Sequence, residues 1–213
     1  MTTWSPDDVI ITWSAPDNGG SPILGYVVYI RQSDGSTFTT DSVNCDASVS
    51  LATTCTVPVS SLKAEPYSLD WGVGVYVKVL AFNLYGNSDL SLEGNGAIIT
   101  TTPDAPINLA EDYSQRTKDT LAITWEQAAF NGGAVIEDYR VSMAEADGAF
   151  AIIASGLTDS THTITGLTAG LIYHFKVESR NSYSYSLLSE VLSLPCAFIS
   201  EVPTSVTTTN SAD

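Results

Sequence analysis

The three cysteines are the residues of this chain whose spacing could support covalent chemistry. Cys45 and Cys55 stand ten positions apart in a Ser/Thr-rich stretch, whereas Cys196 stands alone. An odd number of cysteines indicates one disulfide and one remaining thiol. In a secreted protein Cys45 and Cys55 would pair and close a short loop, and in a cytosolic protein both would be small buried residues. We expect the bridge, and we expect Cys196 either to pair with another module of the protein or to remain a free thiol.

The two histidines do not form a recognisable chemical site. Neither His162 nor His174 has a cysteine or a second histidine at the spacing of zinc ligands. The sequence contains no nucleophile elbow, no P-loop and no dinucleotide fingerprint. Acidic pairs such as Asp7-Asp8 do not have the spacing of an EF-hand loop. The sequence therefore predicts no catalytic residue, no cofactor-binding residue and no metal ligand, and it predicts that the chain is not an enzyme.

The charge of the chain restricts its partners. Its 24 acidic and 8 basic residues give a net charge of −16. Nucleic acid is excluded as a partner because phosphate binding requires clusters of Lys and Arg. No apolar run approaches the length of a transmembrane helix, so direct membrane insertion is not expected. We interpret the acidity as a source of solubility and of repulsion between copies, with calcium binding between modules as the alternative.

The two halves of the sequence repeat the same landmarks. The chain has 213 residues, which is room for two β-sandwich domains of roughly 100 residues each. Both halves contain, in the same order, an Ile-Thr-Trp run, an Asn-Gly-Gly run, and a lysine followed five positions later by an asparagine. These landmarks end at Trp13, Gly20 and Asn83 in the first half and at Trp125, Gly133 and Asn181 in the second. The repetition predicts two related modules in tandem.

The segments between these landmarks have the pattern of β-strands. Val9-Ile10-Ile11-Thr12-Trp13 is short and β-branched, and it has a counterpart at residues 121–125. Residues 26–30 are too apolar for a strand with one solvated face, so we expect them in the middle of a sheet. Asp34-Gly35 and Asp147-Gly148 have the composition of two-residue turns. Helical periodicity is absent, so we predict an all-β fold with no α-helix of any length.

These residues resemble the fibronectin type III family. The resemblance rests on a Trp that closes the second strand, on Tyr173-His174-Phe175-Lys176-Val177 followed by Asn181, and on the turn Gly166-Leu167-Thr168-Ala169-Gly170. It implies two tandem fibronectin type III-like, and hence immunoglobulin-like, β-sandwiches. It says little about function, because folds of this kind serve many roles. The core positions that it implies are Trp13, Leu62 and Val75 in the first module and Trp125, Leu167 and Tyr173 in the second.

The first module departs from the family pattern in two ways. Val75 stands where the family has a tyrosine that anchors a corner through its hydroxyl, as Tyr173 does in the second module. The first module is also longer, because 65 positions separate its Trp and Lys landmarks and only 51 separate those of the second. We interpret the additional residues as an enlarged loop that a bridge between Cys45 and Cys55 staples in place of the tyrosine corner. This loop pattern, with Cys55-Thr56-Val57-Pro58, resembles modules in large multi-module surface proteins of protists.

The boundaries of the modules raise the question of how copies connect. We place module one at residues 1–103, module two at residues 104–200, and a further linker and strand at residues 201–213. Residues 106–113 have the pattern of a first strand for module two, whereas the start of module one has too little apolar pattern for one. The chain is therefore predicted either to be a fragment of a longer array or to donate its last segment to module one of the next copy. The donor residues would be Val202, Ser205, Val206 and Thr207.

Aromatic residues outside the core pattern mark possible contact positions. Tyr183 and Tyr185 alternate with serines near the last strand, a combination that is common in adaptable contact surfaces. Trp4 and Trp71 lie outside the family's core pattern and could cover a module end.

Taken together, these features predict a non-catalytic structural or interaction segment of an extracellular or cell-surface array or filament, as part of a longer secreted protein. The expected partners are other copies of the chain or neighbouring modules. One alternative is an adhesion or receptor ectodomain that binds a protein or glycan through its loops, which a membrane span elsewhere in a longer chain would favour. Another is an accessory region of a secreted enzyme, which a catalytic domain elsewhere would favour.

Overall fold

The computed structural model describes residues 1–5, 7–197 and 205 of the chain. Its strands form four antiparallel sheets that make two β-sandwiches. This confirms the predicted fold class and the tandem arrangement. One compact unit comprises Met1–Asp104 with Ala129–Ile136 and Arg180–Tyr185, and the other comprises Ala105–Ala128, Glu137–Ser179 and the described residues from Ser186 onward. No helix among the described residues is long and apolar enough to cross a membrane.

The described residues of module one form seven strands and one short helix. A three-stranded sheet has the order β1–β2–β5, and a four-stranded sheet has the order β4–β3–β6–β7. The elements are β1 (Thr2–Ser5), β2 (Asp8–Thr12), β3 (Gly25–Arg31), β4 (Phe38–Thr40), β5 (Thr54–Pro58), α1 (Val59–Lys63), β6 (Val77–Asn83) and β7 (Gly86–Asn87).

The core of module one follows from alternation along its strands. In β2, Val9 and Ile11 are buried while their neighbours are partly exposed. In β3, Tyr26, Val28 and Ile30 are buried. The structure places β3 between β4 and β6, in the middle of its sheet. Because side chains alternate between the two faces of a strand, each of these strands directs one set of apolar residues into a shared core.

The prediction that module one lacks its own first strand is wrong. β1 pairs with β2 in antiparallel register, with Thr2 opposite Ile11 and Ser5 opposite Asp8. Thr2 is almost fully buried, and its hydroxyl donates to the Val75 carbonyl at 3.2 Å and accepts from the Ala97 N–H at 2.9 Å. The inward position is therefore occupied by a hydrogen-bonded polar residue, which a search for apolar alternation does not detect.

The enlarged region of module one contains a short helix that periodicity did not predict. α1 spans only five residues, and its Val59 and Leu62 are buried. A single turn is too short to show a 3.6-residue repeat, so the prediction of no helix is wrong here. The Leu62 carbonyl accepts from the Leu69 N–H at 3.0 Å, which fastens α1 to the chain that leads into β6.

Module two has the simpler arrangement. One sheet has the order β12–β9–β8, and the other has the order β11–β10–β13–β14. A short 3-10 helix lies at Tyr113–Gln115. The strands are β8 (Ile107–Glu111), β9 (Thr120–Glu126), β10 (Asp138–Glu145), β11 (Ala151–Leu157), β12 (Thr161–Thr165), β13 (Ile172–Arg180) and β14 (Leu192–Pro195).

The corner of module two is anchored by a tyrosine, and that of module one is not. Tyr173 is buried, and its hydroxyl accepts a hydrogen bond from the Thr168 N–H at 2.9 Å. Val75 is fully buried but has no hydroxyl, and α1 with its buried Leu62 occupies the connection between β5 and β6. The disulfide joins the connection between β4 and β5 to β5 itself, because Cys55 belongs to that strand. The prediction that the bridge replaces the tyrosine corner is therefore wrong, because the connection between β5 and β6 contains α1 and neither cysteine.

Candidate interaction surfaces

Each module contains the same pair of aromatic rings. Trp13 and Tyr26 meet edge to face, with ring centroids 5.5 Å apart and an angle of 66° between the planes. Trp125 and Tyr139 have the same separation and the same angle. The two pairs differ in how far they are covered, because Trp125 is only 4% exposed whereas Trp13 is partly buried. The repeated Ile-Thr-Trp landmark therefore marks the same packed pair of a tryptophan and a tyrosine in both modules.

A groove in module one opens beside Trp13. We call it the Trp13 groove, and it encloses about 610 Å³. This volume is within the range of pockets that take small molecules or side chains of a partner. The residues that define it are Met1, Trp13, Tyr26, Val79 and Leu92. Its lining is mainly apolar, so burial of an apolar segment would be the main source of affinity.

The shared asparagine of each module fixes the Asn-Gly-Gly turn. Asn83 Nδ2 donates to the Asn18 carbonyl at 3.0 Å, and Asn181 Nδ2 donates to the Asn131 carbonyl at 2.8 Å. Each asparagine also accepts a hydrogen bond from a backbone N–H two residues on, at 2.9 Å in both modules. In each module, one hydrogen bond thus joins two landmarks that are far apart in sequence, namely the Asn-Gly-Gly run and the asparagine that follows the lysine.

Paired serines form a second repeated network that the sequence reasoning missed. Ser88 and Ser91 accept hydrogen bonds from backbone N–H groups of β6, each at 3.0 Å. Ser186 and Ser189 do the same for β13, at 3.1 and 2.9 Å. The detectable pattern is Asn-x-Tyr-x-x-Ser-x-x-Ser, which starts at Asn83 in module one and at its counterpart in module two.

The disulfide between Cys45 and Cys55 is present, as predicted. It closes the connection between β4 and β5, which we call the Cys45 loop and define as residues 41–53. Within this loop Asp41 Oδ1 accepts hydrogen bonds from two backbone N–H groups, at 3.0 and 2.8 Å. Three aliphatic side chains of the loop are strongly exposed, namely Val43, Val49 and Leu51. The loop is therefore pinned at its base and apolar at its surface.

The remaining cysteine is enclosed. Cys196 is fully buried, and its Sγ donates to the Lys118 carbonyl at 3.3 Å. Burial raises the pKa of the Cys196 thiol above its usual value. Within the described residues Cys196 forms no disulfide, because Cys45 and Cys55 are bonded to each other. His162 is half-buried, and burial lowers its pKa.

Most of the basic side chains contact an aromatic ring or a carboxylate within the chain. Arg31 lies 3.6 Å from the centre of the Tyr76 ring, and Lys78 lies 4.4 Å from that of Phe38. Arg140 forms a salt bridge with the buried Glu178. The other basic residues with a ring contact are Lys63, Arg116, Lys176 and Arg180. Among the described residues, no group of three or more His, Cys, Asp or Glu side chains could hold a metal ion.

The predicted contact residues are dispersed. Trp71 is partly buried against the core of module one, with Lys63 Nζ 4.7 Å from its ring. Tyr183 and Tyr185 are half-buried, and Arg180 lies 5.6 Å from the Tyr185 ring. The backbone of Trp4 belongs to β1. Of the predicted donor residues, Ser205 is exposed, and Val202, Val206 and Thr207 lie outside the described residues.

A family comparison identifies the second half of the chain. Residues 104–194 match the family model of the fibronectin type III domain. Such domains are non-catalytic modules that typically serve as interaction or structural segments of multi-domain proteins.

The chain is also similar to a curated relative and to solved structures. Pikachurin of Rattus norvegicus is 26% identical over 189 residues, which cover 84% of this chain and 18% of pikachurin. The chain thus spans less than a fifth of the length of this relative.

A crystal structure of consecutive titin domains has a TM-score of 0.54 at 16% identity, covering 90% of this chain and 67% of that one. The FN1–FN3 domains of chicken CNTN1 have a TM-score of 0.43 at 17% identity, covering 90% and 62%. The predicted resemblance to protist surface proteins is not supported, and pikachurin, a curated relative, is a rat protein.

Proposed function

We propose that this chain is a non-catalytic structural and interaction segment of a longer extracellular protein. The observation that carries the proposal is the Cys45–Cys55 disulfide, because such bridges persist in oxidising compartments and are rare in the cytosol. The fibronectin type III domain at residues 104–194 and the similarity to pikachurin support a modular context. The net charge of −16 supports the proposal as well, because it favours solubility and repulsion between copies.

The state of the thiols in the protein from its natural source tests this proposal. The protein is unfolded without reductant, alkylated and weighed. We expect one alkylated cysteine, since Cys196 is the free thiol and the other two are bridged. Three alkylated cysteines would place the chain in a reducing compartment and would overturn the extracellular assignment. Alkylation of the folded protein serves as the control, and we expect no reaction because Cys196 is buried.

An adhesion or receptor role is the second candidate, and one observation favours it. Leu84 and Tyr85 follow β6 at the tip of module one and are 80% and 90% exposed. Loops at the ends of sandwiches often carry recognition, and exposed apolar residues at a tip are suited to a protein or glycan partner. A Leu84→Ser/Tyr85→Ser variant should then lose adhesion to cells that bind the parent protein. Unchanged adhesion would remove this candidate.

Donation of a strand to β2 is not part of the proposal. The edge of β2 that a donor would occupy is already paired with β1 over four residue pairs. An incoming strand would have to displace β1 and break the hydrogen bonds that bury Thr2. The chain therefore offers no open edge at the position where strand donation was predicted.

A further inference from the structure

The edge strand β11 of module two exposes apolar side chains that its own core does not use. β11 lies at the edge of its four-stranded sheet, and among the described residues only β10 pairs with it. None of its seven residues is fully buried. Ile152 and Ile153 are 57% and 37% exposed, and Phe150 before them is exposed as well. Contiguous exposed apolar surface on a folded module indicates a binding surface.

A β-bulge explains why two consecutive isoleucines are exposed. Val141 of β10 pairs with Ala154, and the next residue, Ser142, pairs with Ile152, so Ile153 is the extra residue of the bulge. In a regular strand consecutive side chains point to opposite faces, and an extra residue breaks this alternation and leaves its own backbone groups outside the ladder. The bulge therefore presents both isoleucines, together with unpaired backbone of Ile153, at the open edge.

The corresponding edge of module one is protected, and that of module two is not. Edge strands are commonly protected by being short, by lysine or proline, or by the cover of other groups. β4 has only three residues, and Lys78 Nζ lies 4.4 Å from the centre of the Phe38 ring in that strand. β11 has seven residues, and it contains no lysine, no proline and no charged side chain.

We infer that β11 pairs with β11 of a second copy of this chain. The two strands run antiparallel about a twofold axis between Ile152 and Ile153, and they join two four-stranded sheets into one continuous sheet. The bulge bends the strand, so the pairing is short and centres on these two residues. A contact of this symmetry closes on itself and gives a dimer rather than a filament. The inference rests on the proposed function, because it names a surface through which such an interaction segment binds.

The sequence at the centre of β11 is suited to a second copy of itself. Ala151-Ile152-Ile153-Ala154 reads the same in both directions. Antiparallel pairing about its centre therefore places alanine opposite alanine and isoleucine opposite isoleucine. A twofold contact requires a surface that is complementary to itself, and pairs of β-branched side chains across strands stabilise a sheet.

The charge of this segment also favours a second copy over a partner that is recognised through charge. Residues 148–158 carry no charged side chain, and Asp147 and Asp159 bound them. A charged partner would require complementary charges along this edge. Copies with a net charge of −16 repel each other in most orientations, whereas pairing of residues 151–154 brings no like charges directly opposite each other.

Sedimentation equilibrium of the full chain at 0.15 M salt, where long-range repulsion is screened, tests the inference. We expect the mean mass of the parent chain to rise with concentration to that of a dimer and no further. Ile152→Lys/Ile153→Lys should weaken this association by about tenfold or more, because lysines at the edge oppose strand pairing. These lysines make the net charge less negative, so a weaker dimer could not result from greater overall repulsion between copies.

A matched control carries the same change of charge elsewhere. Val43→Lys/Val49→Lys replaces two exposed aliphatic side chains of the Cys45 loop, each 87% exposed. This variant should dimerise at least as tightly as the parent chain. Chemical denaturation of both lysine variants measures whether each module remains folded.

Cross-linking tests the register without altering the isoleucines. An equimolar mixture of Ala151→Cys and Ala154→Cys chains should form a disulfide-linked dimer in oxidising conditions, because these two positions lie opposite each other in the proposed pairing. Either variant alone should not, since like positions would lie roughly 10 Å apart along the strands and a disulfide requires Cα atoms within about 7 Å. The native cysteines should not react, because two are bridged and Cys196 is buried.

Several results would overturn the inference. They are a parent chain that stays monomeric at all concentrations, association that survives Ile152→Lys/Ile153→Lys, a control variant that loses association equally, and a cysteine mixture that cross-links no faster than its single components. A monomeric parent with one alkylatable thiol would refute this interface and leave the proposed function standing. Three alkylatable thiols together with an intact dimer would overturn the extracellular assignment and leave the interface standing.

Discussion

At the scale of single residues, buried polar groups distinguish the two modules. Thr2 takes an inward position of β1 by hydrogen bonding to both Val75 and Ala97. Tyr173 anchors the corner of module two through Thr168. A buried donor that loses its hydrogen-bond partner lowers the stability of the fold by more than the bond itself contributes. The reason is that the donor has been removed from water and no longer has a partner in its place. Single hydroxyl groups at these positions should therefore have measurable effects on stability.

Removal of the Tyr173 hydroxyl should destabilise module two. Tyr173→Phe leaves the Thr168 N–H without its 2.9 Å acceptor in a partly buried corner, so we expect a loss of about 1–2 kcal/mol in the free energy of unfolding. Chemical denaturation of the variant and the parent chain measures this loss. Tyr85→Phe is the matched control, because Tyr85 is 90% exposed and its change should be neutral. Equal stability of Tyr173→Phe and the parent would show that the corner bond does not contribute.

Module one should lose stability in alkaline solution through Tyr67. Burial, with a contribution from the Asp41 carboxylate, raises the pKa of Tyr67 from 10.0 to about 12. The folded state then keeps a proton that the unfolded chain releases above pH 10, so the stability is intact below pH 10 and declines as the pH rises towards about 12. Tyr67→Phe should reduce this decline relative to the parent chain when unfolding is measured from pH 9 to 12. A Tyr85→Phe control should decline like the parent, and an equal decline in Tyr67→Phe would exclude this residue as the cause.

At the scale of elements, the Cys45 loop depends on one glycine of β3. The Ala47 carbonyl accepts from the Tyr26 N–H at 2.9 Å, so the loop lies directly against the start of β3. A Cβ on Gly25 would lie 2.5 Å from the Ser48 carbonyl oxygen and 2.8 Å from the Phe82 ring. The Ser48 backbone cannot move aside as the end of a flexible side chain can, so only glycine fits at position 25.

Gly25→Ala should therefore displace the Cys45 loop and destabilise module one by about 1–3 kcal/mol. Denaturation measures the loss, and amide hydrogen exchange should show faster exchange at Tyr26, whose N–H bonds to the loop. Gly74→Ala is the control, because its nearest neighbour is the Tyr76 side chain at 3.1 Å, which can move. Similar losses in both variants would mean that the close approach of the loop is not the cause.

The disulfide should stabilise module one by restricting the unfolded chain. Its two cysteines are ten residues apart, and closing a loop of that length contributes about 2–3 kcal/mol in the chain-entropy account. Cys45→Ser/Cys55→Ser should lower the free energy of unfolding of module one by that amount and leave module two unchanged. Reduction of the parent chain should have the same effect. If the double variant unfolds at the same denaturant concentration as the parent, the bridge is not needed for the stability of the module.

The sequence predicted the elements that repeat and are apolar, and it failed where a polar residue or a short turn carries the structure. The landmarks ending at Trp13 and Trp125 correctly indicated two sandwiches, because apolar alternation and β-branched runs determine strand pairing locally. β1 was missed because Thr2 is buried by hydrogen bonds, and α1 because one turn has no period. The Trp13 groove could not be predicted, since it depends on how far β1 extends relative to β2.

At the scale of the whole molecule, the net charge of −16 makes the chain acidic. Seven of the eight basic residues contact an aromatic ring or a buried carboxylate within the chain. These contacts leave the net charge unchanged, but they hold the cations at fixed positions within the fold. Copies of the chain therefore meet as acidic bodies, with apolar exceptions at the Trp13 groove and the Cys45 loop.

Repulsion between copies should therefore weaken strongly with salt. The screening length falls from about 30 Å at 0.01 M salt to about 8 Å at 0.15 M, so the long-range repulsion due to a net charge of −16 is removed over this range. In light scattering on the chain, the second virial coefficient should be large and positive at 0.01 M and should fall towards zero at 0.15 M. Attraction between copies that is strongest at low salt would contradict the predicted repulsion. Such attraction would require patches of opposite charge on the two copies, and most of the basic side chains are already in contact with groups of their own chain.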